Sequence, residues 1–271
     1  MNHSLVIGPF AFPYAMLLLF AAVGSAFFVG DRLARKVGVA VEPVLWRALL
    51  VGLLVARLAF VWEFRPAYFA APVSIIDIRD GGWNATAGFV GAWLFVLSRQ
   101  GRLAAWRRPL QGALLTASVL WLAGSVALAL SLRGTSGQTM PELTLSTLDG
   151  RMVQLTDFKG QPTVVNLWAT WCPPCVREMP VLQRAQADNP GIHFVFLNQG
   201  EPASRVAAWL QARNWRLNNM LLDVSGQAGA AFKQSALPTT LFFDAQGRLV
   251  GLRVGELSSA TLAERLQDLK P

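Results

Sequence analysis

Cys172 and Cys175 are the chain's only cysteines, and two prolines separate them in Trp171-Cys172-Pro173-Pro174-Cys175. Thiols at this spacing close into one disulfide and reopen, so the pair accepts or donates two electrons by thiol exchange. The plain alternative is a static disulfide, which an oxidising compartment favours. A metal site is the other alternative. One C-x-x-C supplies two ligands, and the only histidines are His3 and His193, so a four-ligand structural site cannot be assembled within one chain.

Such a dithiol needs a rigid mount. Residues 162–169 form an apolar, β-branched run, as a buried strand should. The run after the cysteines, 173–188, reads as a helix. The first sulfur then lies at a helix N-terminus, where backbone N–H groups and the dipole favour the thiolate. Pro173 and Pro174 contribute no N–H donors there, which predicts only a modest effect on the Cys172 thiol. Further strand patterns cover 192–198, 220–223, 239–244 and 249–255, and helix patterns fit 202–213, 226–234 and 258–269. Strands alternating with helices, then two adjacent strands joined by Ala245-Gln246-Gly247, predict a mixed sheet covered by helices.

Residues 138–271 resemble the TlpA/ResA class of membrane-tethered thiol–disulfide oxidoreductases, which have a thioredoxin fold. The motifs are Val165-Asn166-Leu167-Trp168-Ala169-Thr170-Trp171-Cys172-Pro173-Pro174-Cys175, Arg177-Glu178-Met179-Pro180 and Leu237-Pro238-Thr239-Thr240. The resemblance implies that Cys172 attacks and that Cys175, more buried, resolves the mixed disulfide. It implies a cis-proline at Pro238 facing the dithiol, with the Leu237 backbone offered to an incoming peptide as in strand pairing. A simple turn proline is the alternative. Thioredoxin has a buried aspartate where this chain has Asn166, and some class members have a glutamate where it has Pro173. Glu178 is then the nearest acid, one turn beyond Cys175. It, or water, is expected to assist deprotonation of Cys175; a solvated helix-face carboxylate is the alternative. Trp168 and Trp171 flank the site as an apolar platform, with core packing the alternative for Trp168.

The rest of the chain has a different composition. Apolar stretches at 10–30, 44–62, 83–98 and 110–132 approach the ~20 residues a spanning helix needs. The expected organisation is an all-α membrane region of about four transmembrane helices over 1–132, a polar linker at 133–139, and an α/β thioredoxin-like domain over 140–271. The first stretch lacks a basic leader and is long for a signal core, so it is expected to be retained. Residues 1–137 carry a net charge of +7 and residues 138–271 only +1. The basic excess therefore belongs to the apolar half and argues for membrane topology, not for nucleic acid. Arg32, Arg35 and Lys36 follow the first stretch, and Arg99, Arg102, Arg107 and Arg108 follow the third. By the positive-inside rule these loops are cytoplasmic, so the dithiol lies in the periplasm of a bacterial inner membrane.

Arg47 and Arg57 fall within the second stretch. Arg47 reads as snorkelling to the surface, while Arg57 is a candidate functional charge. This half resembles the N-terminal part of prolipoprotein diacylglyceryl transferase through Ile7-Gly8-Pro9 with Tyr14, Ala56-Arg57-Leu58 and Asp80-Gly81-Gly82. That resemblance implies lipid-binding roles for Tyr14 and Arg57. The family's essential histidine falls at Thr86, which cannot act as a base, and the later arginine-rich half has no counterpart. A lipid-binding remnant or an anchor is therefore expected rather than a transferase.

The combined expectation is a membrane-anchored reductase of disulfides in oxidised extracytoplasmic proteins, with no cofactor. The membrane half has no cysteine, so a separate transmembrane donor must supply electrons. A periplasmic disulfide oxidant and a lipid-binding or transferase-related protein are the alternatives.

Overall fold

The computed structural model describes residues 4–7, 10–70, 72–100, 104–133, 138–234 and 236–269. The chain separates into two compact units, residues 12–132 and residues 133–271, the latter grouped with 1–11. The linker expected at 133–139 falls largely outside the described residues, as do Gly8, Pro9 and Arg102.

Two short strands, β1 (Ser4–Ile7) and β2 (Phe10–Pro13), pair at the start. The first apolar stretch therefore begins its helix later than its hydropathy suggested, because residues 10–13 are extended. The helices that follow are α1 (Tyr14–Val37), α2 (Glu42–Glu63), the short α3 (Arg65–Ala70), α4 (Ala85–Gln100) and α5 (Ala104–Arg133). Among the described residues, three helical segments, Tyr14–Val37, Glu42–Glu63 and Ala105–Leu130, are long and apolar enough to cross a membrane. The 16 residues of α4 reach only about 24 Å, against a hydrocarbon core of about 30 Å. Large apolar side chains such as Phe20, Phe28, Leu50, Leu54, Leu94 and Leu122 point outward, the reverse of a water-facing bundle.

α2 and α4 meet through small residues. A Cβ added to Gly52 would lie 3.0 Å from the Gly88 carbonyl oxygen, and one added to Gly88 would lie 3.0 Å from the Gly52 oxygen. Only residues without a side chain let the two backbones approach this closely.

The second unit is built on one seven-stranded sheet of order β4-β3-β7-β6-β5-β8-β9. Its elements are β3 (Thr144–Thr147), β4 (Met152–Gln154), β5 (Thr163–Trp168), α6 (Pro173–Asp188), β6 (His193–Gln199), α7 (Ala203–Ala212), β7 (Met220–Asp223), α8 (Gln227–Phe232), β8 (Thr239–Phe243), β9 (Leu249–Val254) and α9 (Ser259–Gln267). β5, β6 and β7 are parallel, while β8 is antiparallel to both β5 and β9. The mixed sheet and the helices from α6 onward follow the sequence patterns closely. The short strand β3 and the edge strand β4 do not: apart from buried Leu145 their residues are partly or fully exposed, and antiparallel pairing across Asp149-Gly150 defines them.

Alternation along β5 divides the core. Val164 and Trp168 face a layer with Cys175, Met179 and Leu182 of α6, Val206 of α7 and Leu262 of α9. Val165 and Leu167 face the opposite layer with Ala228 and Phe232 of α8. Every residue of β5 is buried, as expected for a central strand covered on both faces.

Candidate active site

β5 ends at Trp168, and three residues later the chain turns into α6. Cys172 is the N-cap of that helix, with extended backbone geometry. Pro173 and Pro174 occupy its first turn, where a missing N–H costs nothing. The first N–H available to the sulfur is that of Cys175, which donates to Cys172 Sγ at 3.3 Å. The two sulfurs are joined at 2.05 Å. Cys172 is 4% exposed and Cys175 fully buried, so the oxidised pair presents only an edge of the first sulfur.

Across from it, the Leu237–Pro238 peptide is cis. The register places Thr239 beside Leu167 and Thr240 beside Asn166, which brings the entry to β8 next to the exit from β5. Pro238 accepts from the Gly255 N–H at 2.9 Å. Leu237 is half-buried, and its backbone N–H and C=O bond no other described residue. Leu237, Trp171, Cys172, Pro173 and Pro174 line one open cleft.

Glu178 is fully buried, which removes the reading of a solvated helix-face carboxylate. Its Oε1 accepts from Asn166 Nδ2 at 2.8 Å and its Oε2 from the Leu257 N–H at 2.9 Å. Burial raises its pKa to about 8, although both hydrogen bonds pull the other way. Asn166 also donates to Thr240 Oγ1 at 3.0 Å. A buried carboxyl thus lies three residues beyond Cys175 on α6, where Asn166 on β5 holds it.

The two tryptophans do not form a common platform. Trp171 is 65% exposed while Trp168 is fully buried, its ring centroid 5.3 Å from that of Trp209. Trp168 lies on the alternating strand and Trp171 on the loop beyond it, so one belongs to the core and the other to the cleft.

Glu201 was not singled out by the sequence. It is buried, and accepts from the Thr170 N–H at 2.7 Å, from Thr170 Oγ1 at 2.5 Å and from Asn198 Nδ2 at 2.8 Å. It pins the residue two before Cys172. An acid directly after Gly200, beyond the end of the neighbouring parallel strand, was the available signal.

In the other unit, Tyr14 opens α1 and is partly exposed. Arg57 is buried and committed to protein. Its Nε donates to Ile75 O, its Nη1 to Asp80 Oδ1 and Gly82 O, and its Nη2 to Ser74 O, Asp77 O and Asp80 Oδ2, all within 3.3 Å. Tyr68 donates to Asp80 Oδ2 at 2.6 Å. The guanidinium's five N–H groups are thereby occupied, leaving none for a lipid phosphate. Arg57 clasps the 74–82 loop onto the end of α2.

Residues 135–266 match the Redoxin family. Over 137 residues the chain is 31% identical to the thiol-disulfide oxidoreductase ResA of Geobacillus thermodenitrificans, covering 50% of this chain and 78% of that protein. It is 30% identical over 135 residues to the thiol:disulfide interchange protein DsbE of Vibrio cholerae, covering 49% of this chain and 72% of the relative. Among solved structures, that of MTB dsbF is 26% identical with a TM-score of 0.44, covering 49% of this chain and all of the other.

Proposed function

We propose, from the premise that this chain belongs to the ResA-type thiol-disulfide oxidoreductases, that it is a membrane-anchored reductase of disulfides in extracytoplasmic proteins. The observation that carries this reading is the division of labour in the dithiol. Cys172 borders an open cleft, Cys175 is sealed behind it, and a buried carboxyl stands one turn further along the same helix.

In the reduced protein the Cys172 thiolate attacks one sulfur of a client disulfide. A mixed disulfide forms and the client's other sulfur leaves as a thiolate. Glu178 accepts the Cys175 proton, directly or through water. The Cys175 thiolate then attacks Cys172 Sγ, the client's second sulfur departs, and the 172–175 disulfide closes. Two electrons have moved to the client. Trp171 and the Leu237 backbone hold the client strand against the cleft, and Pro238 keeps a backbone N–H away from the sulfurs.

The apolar unit serves as the anchor. With α1, α2, α4 and α5 all crossing, the basic residues Arg32, Arg35, Lys36, Arg99, Arg107 and Arg108 fall on the cytoplasmic side. The redox unit then lies in the periplasm. That unit cannot refill itself with electrons, because the membrane half has no cysteine. A second membrane protein delivers them. The resemblance to prolipoprotein diacylglyceryl transferase assigns the anchor a contact with lipid rather than a transfer reaction, since Thr86 replaces the base and Arg57 is committed to the fold.

Trapping the thiols in living cells tests direction. A largely reduced Cys172–Cys175 pair, together with clients captured covalently on Cys172 in a Cys175→Ala variant, is the expected result. A steadily oxidised pair would make the protein an oxidant instead.

A further inference from the structure

The cleft beside the disulfide has an uneven chemistry. Its rim is largely apolar, from Trp171, Pro173, Pro174 and Leu237, and no acid lies among its described lining residues. Among the described lining residues, the one charged side chain is Lys233. Lys233 is exposed and forms no ion pair with a described residue. Its backbone is left-handed, with φ 54°, at the C-cap of α8. Glycine or asparagine ordinarily takes that position because a larger side chain is strained there. In this chain the position is a lysine.

Gln234 follows it and lines the same cleft at 8% exposure. Its backbone N–H is used by Gly229 O at 2.8 Å, but its side-chain amide bonds no described residue. The amide lines the open cleft without a described partner, so it is available to a segment that enters there. The acids nearest in sequence are already engaged. Asp223 is buried and accepts from the Gln227 and Ala228 N–H groups at 2.9 and 2.8 Å. Among the described residues, no carboxylate lines the cleft opposite Lys233.

We propose that this cleft selects client segments carrying an aspartate or glutamate close to the reactive cysteine. Lys233 reads the carboxylate, Gln234 bonds the backbone of the extended segment, and Trp171 covers its apolar side. This deepens the oxidoreductase reading and rests on it.

The test uses the full-length protein, reduced and in detergent, with three disulfide-linked peptides that differ only in having Asp, Ser or Lys beside the cysteine. Exchange rates are followed by acid-quenched thiol trapping. The Asp peptide should react about fivefold faster than the Lys peptide at low salt, the scale of an exposed charge pair, and the gap should close near about 1 M salt. Lys233→Glu should invert the order, and Lys233→Gln should erase it. Equal rates for the Asp and Lys peptides in the wild type, or an order unchanged in Lys233→Glu, would overturn the proposal and leave Lys233 as a cap on α8. Silence from all three peptides would instead remove the dithiol chemistry on which the proposal stands.

Discussion

Glu178 has no solvent contact, and its burial is softened by the Leu257 N–H, the Asn166 amide and the charge of Arg253. Its pKa is raised from 4.5 to about 8, so the folded protein holds this proton more tightly than the unfolded chain does. Stability from this group is complete below about pH 4.5 and is lost as pH rises toward 8. At about 1.4 kcal/mol per pH unit the loss is on the order of 5 kcal/mol. Denaturation of the oxidised protein between pH 5 and about 8 should show this slope, and Glu178→Gln should flatten it. In the same variant, resolution by Cys175 should lose its rise near pH 8; an unchanged rate and profile would remove Glu178 from the mechanism. Glu201 gives a different expectation. Glu201→Ala leaves the Thr170 and Asn198 donors unpaired and should cost about 2–3 kcal/mol, measured by denaturant unfolding. It should also slow attack by Cys172, because Thr170 no longer holds the approach to α6.

The elements differ in how directly their residues specify them. β5 is read without difficulty because a central strand covered on both faces is a nearly continuous apolar run, and α6 because it starts at a cap followed by two prolines. α9 carries its own signal in Ser258, whose side chain accepts from the Thr261 N–H at 3.2 Å. The contact of α2 with α4 depends on paired glycines 36 residues apart, Gly52 and Gly88, each meaningful only against the other. Gly88→Leu should force these helices apart and lower the detergent-unfolding midpoint, whereas Gly24→Leu, with open space around it, should not. The clasp of Arg57 on Asp80 has a similar logic. Asp80→Ala strands a buried guanidinium and should destabilise by about 3–5 kcal/mol, while the double replacement Arg57→Met with Asp80→Leu should recover part of that loss.

At the scale of the whole molecule, an apolar basic half joins a nearly neutral redox half. In intact spheroplasts, a membrane-impermeant maleimide should label the reduced dithiol, and reporters fused after Lys36 should be cytoplasmic. Labelling that requires lysis would reverse the orientation. The two-part organisation, the pairing of Cys172 with Cys175 and the alternation of strands and helices were all legible from residue order, since each depends on local composition or on neighbours a few positions apart. Position in space decided the rest. Glu178 became a buried acid through Asn166, 12 residues before it, and Leu257, 79 residues after it. Glu201 reached Thr170 across 31 residues, and Arg57 met Asp80 across 23. Solvation and pairing belong to the folded surroundings of a charged group, so a linear chain announces which groups ionise but not which of them will lose their water.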